Sequence, residues 1–137
     1  MRTMTTVIFA CVHSAGRSQM AAAFFNALAD PTKVRAVAAG TAPAAHVHPE
    51  AIAAMAEVGL DLRHAAPQLL TSALAAAALL LVTMGCGESC PVVPGLRRQD
   101  WLLQDPKGQS PDVVRRIRDE VQARVKQLVT EQGWARS

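Results

Sequence analysis

Cys11 and Arg17 stand with five residues between them in the stretch CVHSAGRS, and Ser18 follows. The stretch comes directly after TTVIFA, a short apolar run suited to a buried strand, and before SQMAAAFFNALA, a run of helix formers. A thiol placed between a strand and a helix start meets unpaired backbone N–H groups, which favour anions. Small residues such as Ser14, Ala15 and Gly16 let the backbone curl tightly, adding N–H groups in a concave nest. The expected anion-binding set is therefore Val12, His13, Ser14, Ala15, Gly16, Arg17 and Ser18. Arg17 can place a planar fork on two oxygens of a tetrahedral oxyanion. The same donors would stabilise a Cys11 thiolate, and Ser18 could donate its hydroxyl to the sulfur. A lone cysteine after a strand is more commonly a small buried hydrophobe. Strand, cysteine, small-residue loop, arginine, serine and helix in this order favour a functional loop.

The elements that must position this loop read as an alternation. KVRAVAAG is a second strand, closed by Gly40 and the turn around Pro43. HPEAIAAMAEVG is a helix with Pro49 in its first turn and Gly59 at its end. Its face is expected to carry Ile52, Met55 and Ala56. TSALAAAALLLVTM divides into a helical start and a third strand, ALLLVTM, and QDWLLQD is expected as a short fourth strand. Pro111 opens a long last helix with Val114, Ile117, Val121, Val125 and Leu128 at helical spacing. The expected fold is α/β: a three-layer doubly wound domain with a four-stranded, mainly parallel sheet and helices on both faces. One domain is expected over 1–137, with its site at the carboxyl ends of the strands.

Half of the 137 residues are apolar, tyrosine is absent and aromatics make up 4%, so aliphatic residues and alanine must fill the core. The net charge of +3 suits a small anionic substrate. No dense Lys/Arg block calls for nucleic acid, and Arg115, Arg116 and Arg118 are expected on a solvated helix face. ALAAAALLLVTMG falls short of the ~20 residues of a spanning helix, and no secretory signal is visible. A cytoplasmic monomer with no membrane partner is expected. Three cysteines without secretory context argue against a static disulfide framework.

VIFACVHSAGRSQMAAAFFNALA resembles the oxyanion loop of the low-molecular-weight protein tyrosine phosphatase superfamily, and CVHSAGRSQMA is closer to its arsenate reductases. The resemblance runs on through AAGTAPAAHVHPEAIAAMAEVGLDL, LVTMGCGESCPVVPG and DWLLQDPKGQ, covering roughly residues 5–130. It implies a low-molecular-weight phosphatase-like fold and reduction of arsenate to arsenite through a Cys11 thiol–arsenic adduct. It implies that Asp105, in an Asp-Pro loop, is the general acid, although an Asp-Pro pair read blind is more often a turn. It also implies a Cys11–Cys86–Cys90 disulfide relay, with Gly85 and Gly87 letting the segment move. On the residues alone, Cys86 and Cys90 at i, i+4 could form a zinc site, but no nearby histidine completes four ligands. No metal and no bound cofactor are expected. The implied reductant is thioredoxin as a transient partner, with mycothiol or another small thiol as the alternative. A phosphatase using only Cys11, Arg17 and Asp105 is the competing activity. An oxyanion-binding or redox-sensing protein without turnover is a third reading.

Ser14 stands where relatives usually carry an asparagine in left-handed conformation, which serine tolerates less well. Some relatives bind potassium behind the loop. Ser14, Ala22 and Ala38 occupy the matching positions, so no such site is expected. His13 could orient donors or act as a spacer, His46 and His48 are expected at the surface or as caps, and Trp101 is expected to pack near the Asp105 loop.

Overall fold

The computed structural model describes residues 5–85 and 95–136. Its elements are β1 (Thr5–Cys11), α1 (Arg17–Leu28), β2 (Val34–Gly40), α2 (Pro49–Ala56), α3 (Ser72–Ala76), β3 (Leu80–Thr83), β4 (Arg97–Asp100) and α4 (Pro111–Glu131). The strands form one sheet in the order β2-β1-β3-β4, and every neighbouring pair is parallel. The chain steps from β1 to β2 on one side and then crosses to β3 on the other. β1 therefore borders the switch point, where open α/β sheets place their sites. Cys11 is its last residue, paired with Gly40 of β2.

Alternation along β1 sorts the core into two layers. Val7, Phe9 and Cys11 face a cluster that includes Met20, Phe24 and Phe25 of α1, Ala51 and Met55 of α2, and Val121, Val125 and Leu128 of α4. Ile8 and Ala10 face the other way, onto Leu70 and Ala75. Among the described residues that second layer is thin, and the five-residue α3 is the helix that supplies Ala75 to it. Phe9 packs against both Phe25 and Trp101, with ring centroids 5.8 and 5.6 Å apart. Full burial of each phenyl ring is worth about 2–3 kcal/mol.

The long last helix forms as its periodicity predicts. Val114, Ile117, Val121, Val125 and Leu128 are all buried, and the Ser110 side chain caps the helix by accepting from the Val113 N–H. No helix of the described residues is long and apolar enough to cross a membrane.

Three expectations need correction. The fourth strand is RRQD, and it stops at Asp100 where the sequence suggested QDWLLQD. Trp101 and Leu103 are buried while Leu102 is 91% exposed, a period of two that mimics a strand. The backbone leaves the ladder after the Trp101 N–H bonds Thr83 O, and Leu103 O is used elsewhere. The buried face of α2 is Ala51, Ala54 and Met55, with Ile52 half-buried and Ala56 exposed, because α2 packs against α4 and α1. Arg118 is not on a solvated face. It is buried and donates from Nη1 to Ala54 O and Glu57, and from Nε to Asp119.

Arg115 and Arg118 both donate to the Glu57 carboxylate, tying α4 to the end of α2. The hydrogen bond from Arg115, then that from Arg118, lowers the Glu57 pKa from 4.5 to about 2. A carboxylate held below its unfolded value contributes stability above that value and loses it as pH falls toward about 2. Glu57→Gln should therefore lower Tm near neutral pH. The gap to the parent should close as the pH of thermal melts is lowered through this window, and a constant gap would show that the ion pairs contribute nothing.

Candidate active site

The CVHSAGRS loop wraps the carboxyl end of β1, and nearly all of it is buried. Ser14, Ala15 and Ser18 are fully enclosed, Cys11 is 3% exposed and Arg17 8%. The second strand and its following loop hold it from outside. Ala42 N donates to Val12 O, Ala44 N to His13 O and His48 N to Ala15 O, at 2.8–2.9 Å. The loop carbonyls are thereby occupied. Among the described residues, none of the backbone N–H groups from His13 to Ser18 donates to a protein acceptor. Gly16 sits at the N-cap of α1 with no side-chain cap, so the positive end of that helix opens into the loop. These are the donors of an anion site.

Cys11 and Ser18 lie side by side, with Sγ 3.1 Å from the Ser18 hydroxyl. The thiol donates in this state, and the hydroxyl can donate back to a thiolate. Arg17 Nη1 donates to Leu103 O at 2.8 Å, and Nη2 lies 3.8 Å from Asp105 Oδ2. Among the described residues Arg17 Nε is buried with no partner. An orphaned N–H on a buried cation is costly unless another acceptor arrives, and the loop beside Arg17 is where an oxyanion would supply one. The structure thus brings together Cys11, Val12 to Ser18 and Asp105. Asp105 is half-exposed, and its Oδ1 accepts from Lys107 N. Cys86 and Cys90 lie outside the described residues.

Ser14 adopts φ 53°, the only positive φ at a non-glycine among the described residues. A non-glycine residue there costs roughly 1–2 kcal/mol, and the surroundings offset it. The Gln19 amide donates to Ser14 O at 2.8 Å and reaches Ser14 Oγ at 3.4 Å, while Gln68 N donates to the same Oγ. Serine takes the left-handed turn because its oxygens are held from behind.

Sequence reasoning missed several supports. Gln19 reads as an ordinary helix former and Gln68 as loop. Gly40 reads as a strand end, yet a Cβ there would lie 2.5 Å from Val12 O, 2.8 Å from Cys11 O and 2.8 Å from Ser14 N. All three are backbone atoms, so no side chain can yield. Gly40→Ala should cost about 2–3 kcal/mol in urea denaturation and should change the alkylation rate of Cys11. A variant matching the parent in both would show that the loop can back away from β2.

Gly85, expected to confer mobility, also has a packing reason. It sits at φ 100°, and a Cβ there would lie 2.7 Å from Arg17 Nη1. Gly16 is likewise covered, by Pro106 at 2.9 Å and the His48 ring at 3.4 Å from its hypothetical Cβ. His48 occupies the N-cap position of α2 without a side-chain cap bond. His13 Nδ1 donates to Ala42 O at 3.2 Å, and the two imidazole centroids are 6.4 Å apart. Trp101 packs against Phe9 at the head of the Asp105 loop, as its size suggested.

The model of the low molecular weight phosphotyrosine protein phosphatase family matches residues 6–134. Arsenate reductase 1 of Bacillus cereus is 37% identical over 131 residues, covering 92% of this chain and 95% of that one. The glutaredoxin arsenate reductase of a Synechocystis species is 35% identical over 129 residues, 92% of this chain and 97% of that one. A solved thioredoxin-dependent arsenate reductase from Corynebacterium glutamicum superposes with a TM-score of 0.80 at 34% identity. That match covers 93% of this chain and 61% of the longer solved one.

Proposed function

Since this chain belongs to the low molecular weight phosphotyrosine protein phosphatase family, we propose that it works the family's loop as an arsenate reductase. The observation that carries the reading is the buried Arg17 Nε, unpartnered among the described residues, in the same loop as the Cys11 thiol, a loop whose N–H groups lack acceptors among those residues. The relatives named arsenate reductase, alike over almost their whole length, favour arsenate over a phosphate ester.

The chemistry follows from the groups present. Arsenate enters with its oxygens on the loop N–H groups and the Arg17 fork. The Cys11 thiolate attacks arsenic, an S–As bond forms, and one oxygen leaves as water with a proton from Asp105. The Cys86 thiolate then attacks Cys11 Sγ. An S–S bond forms, the S–As bond breaks, and its electron pair stays on arsenic, which departs as arsenite. Cys90 attacks Cys86, freeing Cys11 and leaving a Cys86–Cys90 disulfide. A thioredoxin dithiol supplies the two electrons that reduce it. Gly85, the residue before Cys86, lies against the Arg17 guanidinium. Thioredoxin appears in the name of a solved relative, and glutaredoxin in that of another relative. A small thiol such as mycothiol remains the alternative donor.

Asp105 as acid and Cys86 and Cys90 as relay together separate this reading from simple anion binding and from ester hydrolysis. The test is arsenite formation by the purified protein with thioredoxin and its reductase, and in parallel with mycothiol and glutathione systems. Arsenite with thioredoxin supports the full reading. Arsenite only with a small thiol replaces the donor. Hydrolysis of an aryl phosphate without any arsenite would establish a phosphatase instead.

A further inference from the structure

We infer that Gln19 is a positioning residue for the oxyanion loop: its buried amide clamps Ser14 in the left-handed turn from behind, as a neutral stand-in for a cation. The inference rests on reading the loop as an oxyanion site, and nothing in the chemistry above uses Gln19.

Gln19 is 6% exposed and lies in the first turn of α1. Its Nε2 lies 2.8 Å from Ser14 O, 3.4 Å from Ser14 Oγ and 3.3 Å from Ala66 O. Three oxygens from two separate segments thus converge on one NH2 group. The second segment is anchored independently. Gln68 Nε2 donates to Ala38 O, Gly40 N donates to Gln68 O, and Leu70 N donates to Gly40 O. Gln68 N also reaches Ser14 Oγ, so the 66–70 strap and Gln19 grip the same residue from two sides.

The groove behind this clamp, about 290 Å³, is lined by Gln19, Ala22, Ala38, Ala66 and Gln68 among others. Among the described residues its side chains bring amides and aliphatic groups and no carboxylate. An amide has the two hydrogens needed to bridge two carbonyls, and it needs no counter-charge in a buried place. A carboxylate at the same position would face the Ser14 and Ala66 carbonyls with like polarity. A proton or a bound monovalent cation would then be required. Ser14 sets the direction of the N–H groups that follow it, so the clamp acts on Cys11 and the anion through the loop alone.

The test uses the full chain with Cys86→Ser and Cys90→Ser, so that Cys11 is the only thiol. The readouts are the pH midpoint of Cys11 alkylation and the concentration of inorganic phosphate that protects Cys11. Gln19→Leu should raise the midpoint and weaken phosphate protection by about tenfold to a hundredfold. Gln19→Glu, of the same size, should show the same loss in choline buffer and recover when potassium or sodium is added. The parent should be indifferent to either cation. A midpoint and protection within twofold of the parent in Gln19→Leu would overturn the inference. If Gln19→Leu does not fold, Gln19→Glu decides alone: parent-like behaviour in choline overturns the clamp, and cation-dependent recovery supports it. Neither readout needs arsenate turnover, so these results stand even if the parent makes no arsenite.

Discussion

Cys11→Ser is expected to abolish arsenite formation, a loss of roughly four orders of magnitude or more, on the scale of removing an enzyme's nucleophile. The serine hydroxyl ionises far less readily than a thiol. A serine–arsenic ester could not be resolved by thiol attack with electrons passing to arsenic, because that step needs sulfur on both sides. The loop donors and Arg17 would remain, so phosphate or arsenate should still bind. The two other thiols give different signatures. Cys86→Ser should leave arsenic on Cys11 and release no arsenite. Cys90→Ser should release one equivalent per chain and stop as a Cys11–Cys86 disulfide, visible by mass spectrometry of peptides. With thioredoxin, none of the three variants should turn over repeatedly. Full multiple turnover by Cys90→Ser would mean that a donor attacks the Cys11–Cys86 disulfide directly, and the internal relay would fail.

The parts of this site legible in the sequence are those whose signals are local. Cys11 follows a short β-branched and aromatic run suited to a buried strand, and Arg17 and Ser18 open a helix. Their side chains can therefore meet the loop without any long-range contact. The supports are illegible for the opposite reason. Gln19 becomes a clamp only because β2, the strap through Gln68 and the loop converge, and Gly40 matters only because Val12 and Ser14 cross in front of it. Arg118 reads as one arginine among three until α2 brings Glu57 and the Ala54 carbonyl against it. The fourth strand misled for a physical reason too. Alternating burial at Trp101, Leu102 and Leu103 has the strand period, but there the alternation serves to seat a loop. Trp101 anchors it in the core, and the Leu103 carbonyl is free to take a hydrogen bond from Arg17.

Arg17→Lys should lower kcat/KM for arsenate by about 10²–10³, equivalent to about 2.7–4 kcal/mol of transition-state stabilisation. The change keeps a positive charge, so a larger role for net charge than for the fork would predict a small effect. The structure argues for the fork. Arg17 divides its donors: Nη1 holds Leu103 O, Nη2 lies near Asp105, and Nε is buried without a partner among the described residues. A lysine ammonium is one point with a longer, flexible stem and cannot serve the Leu103 carbonyl and an oxyanion together. Either the anion loses its bidentate partner or the Asp105 loop loses its tether. The loss should therefore appear in phosphate protection of Cys11 and also in the proton-transfer step. Arg17→Lys and Asp105→Asn should then be non-additive, because each disturbs the same pair of groups 3.8 Å apart. Strict additivity, or a loss below tenfold in Arg17→Lys, would show that Arg17 acts as a charge alone and that Asp105 is positioned without it.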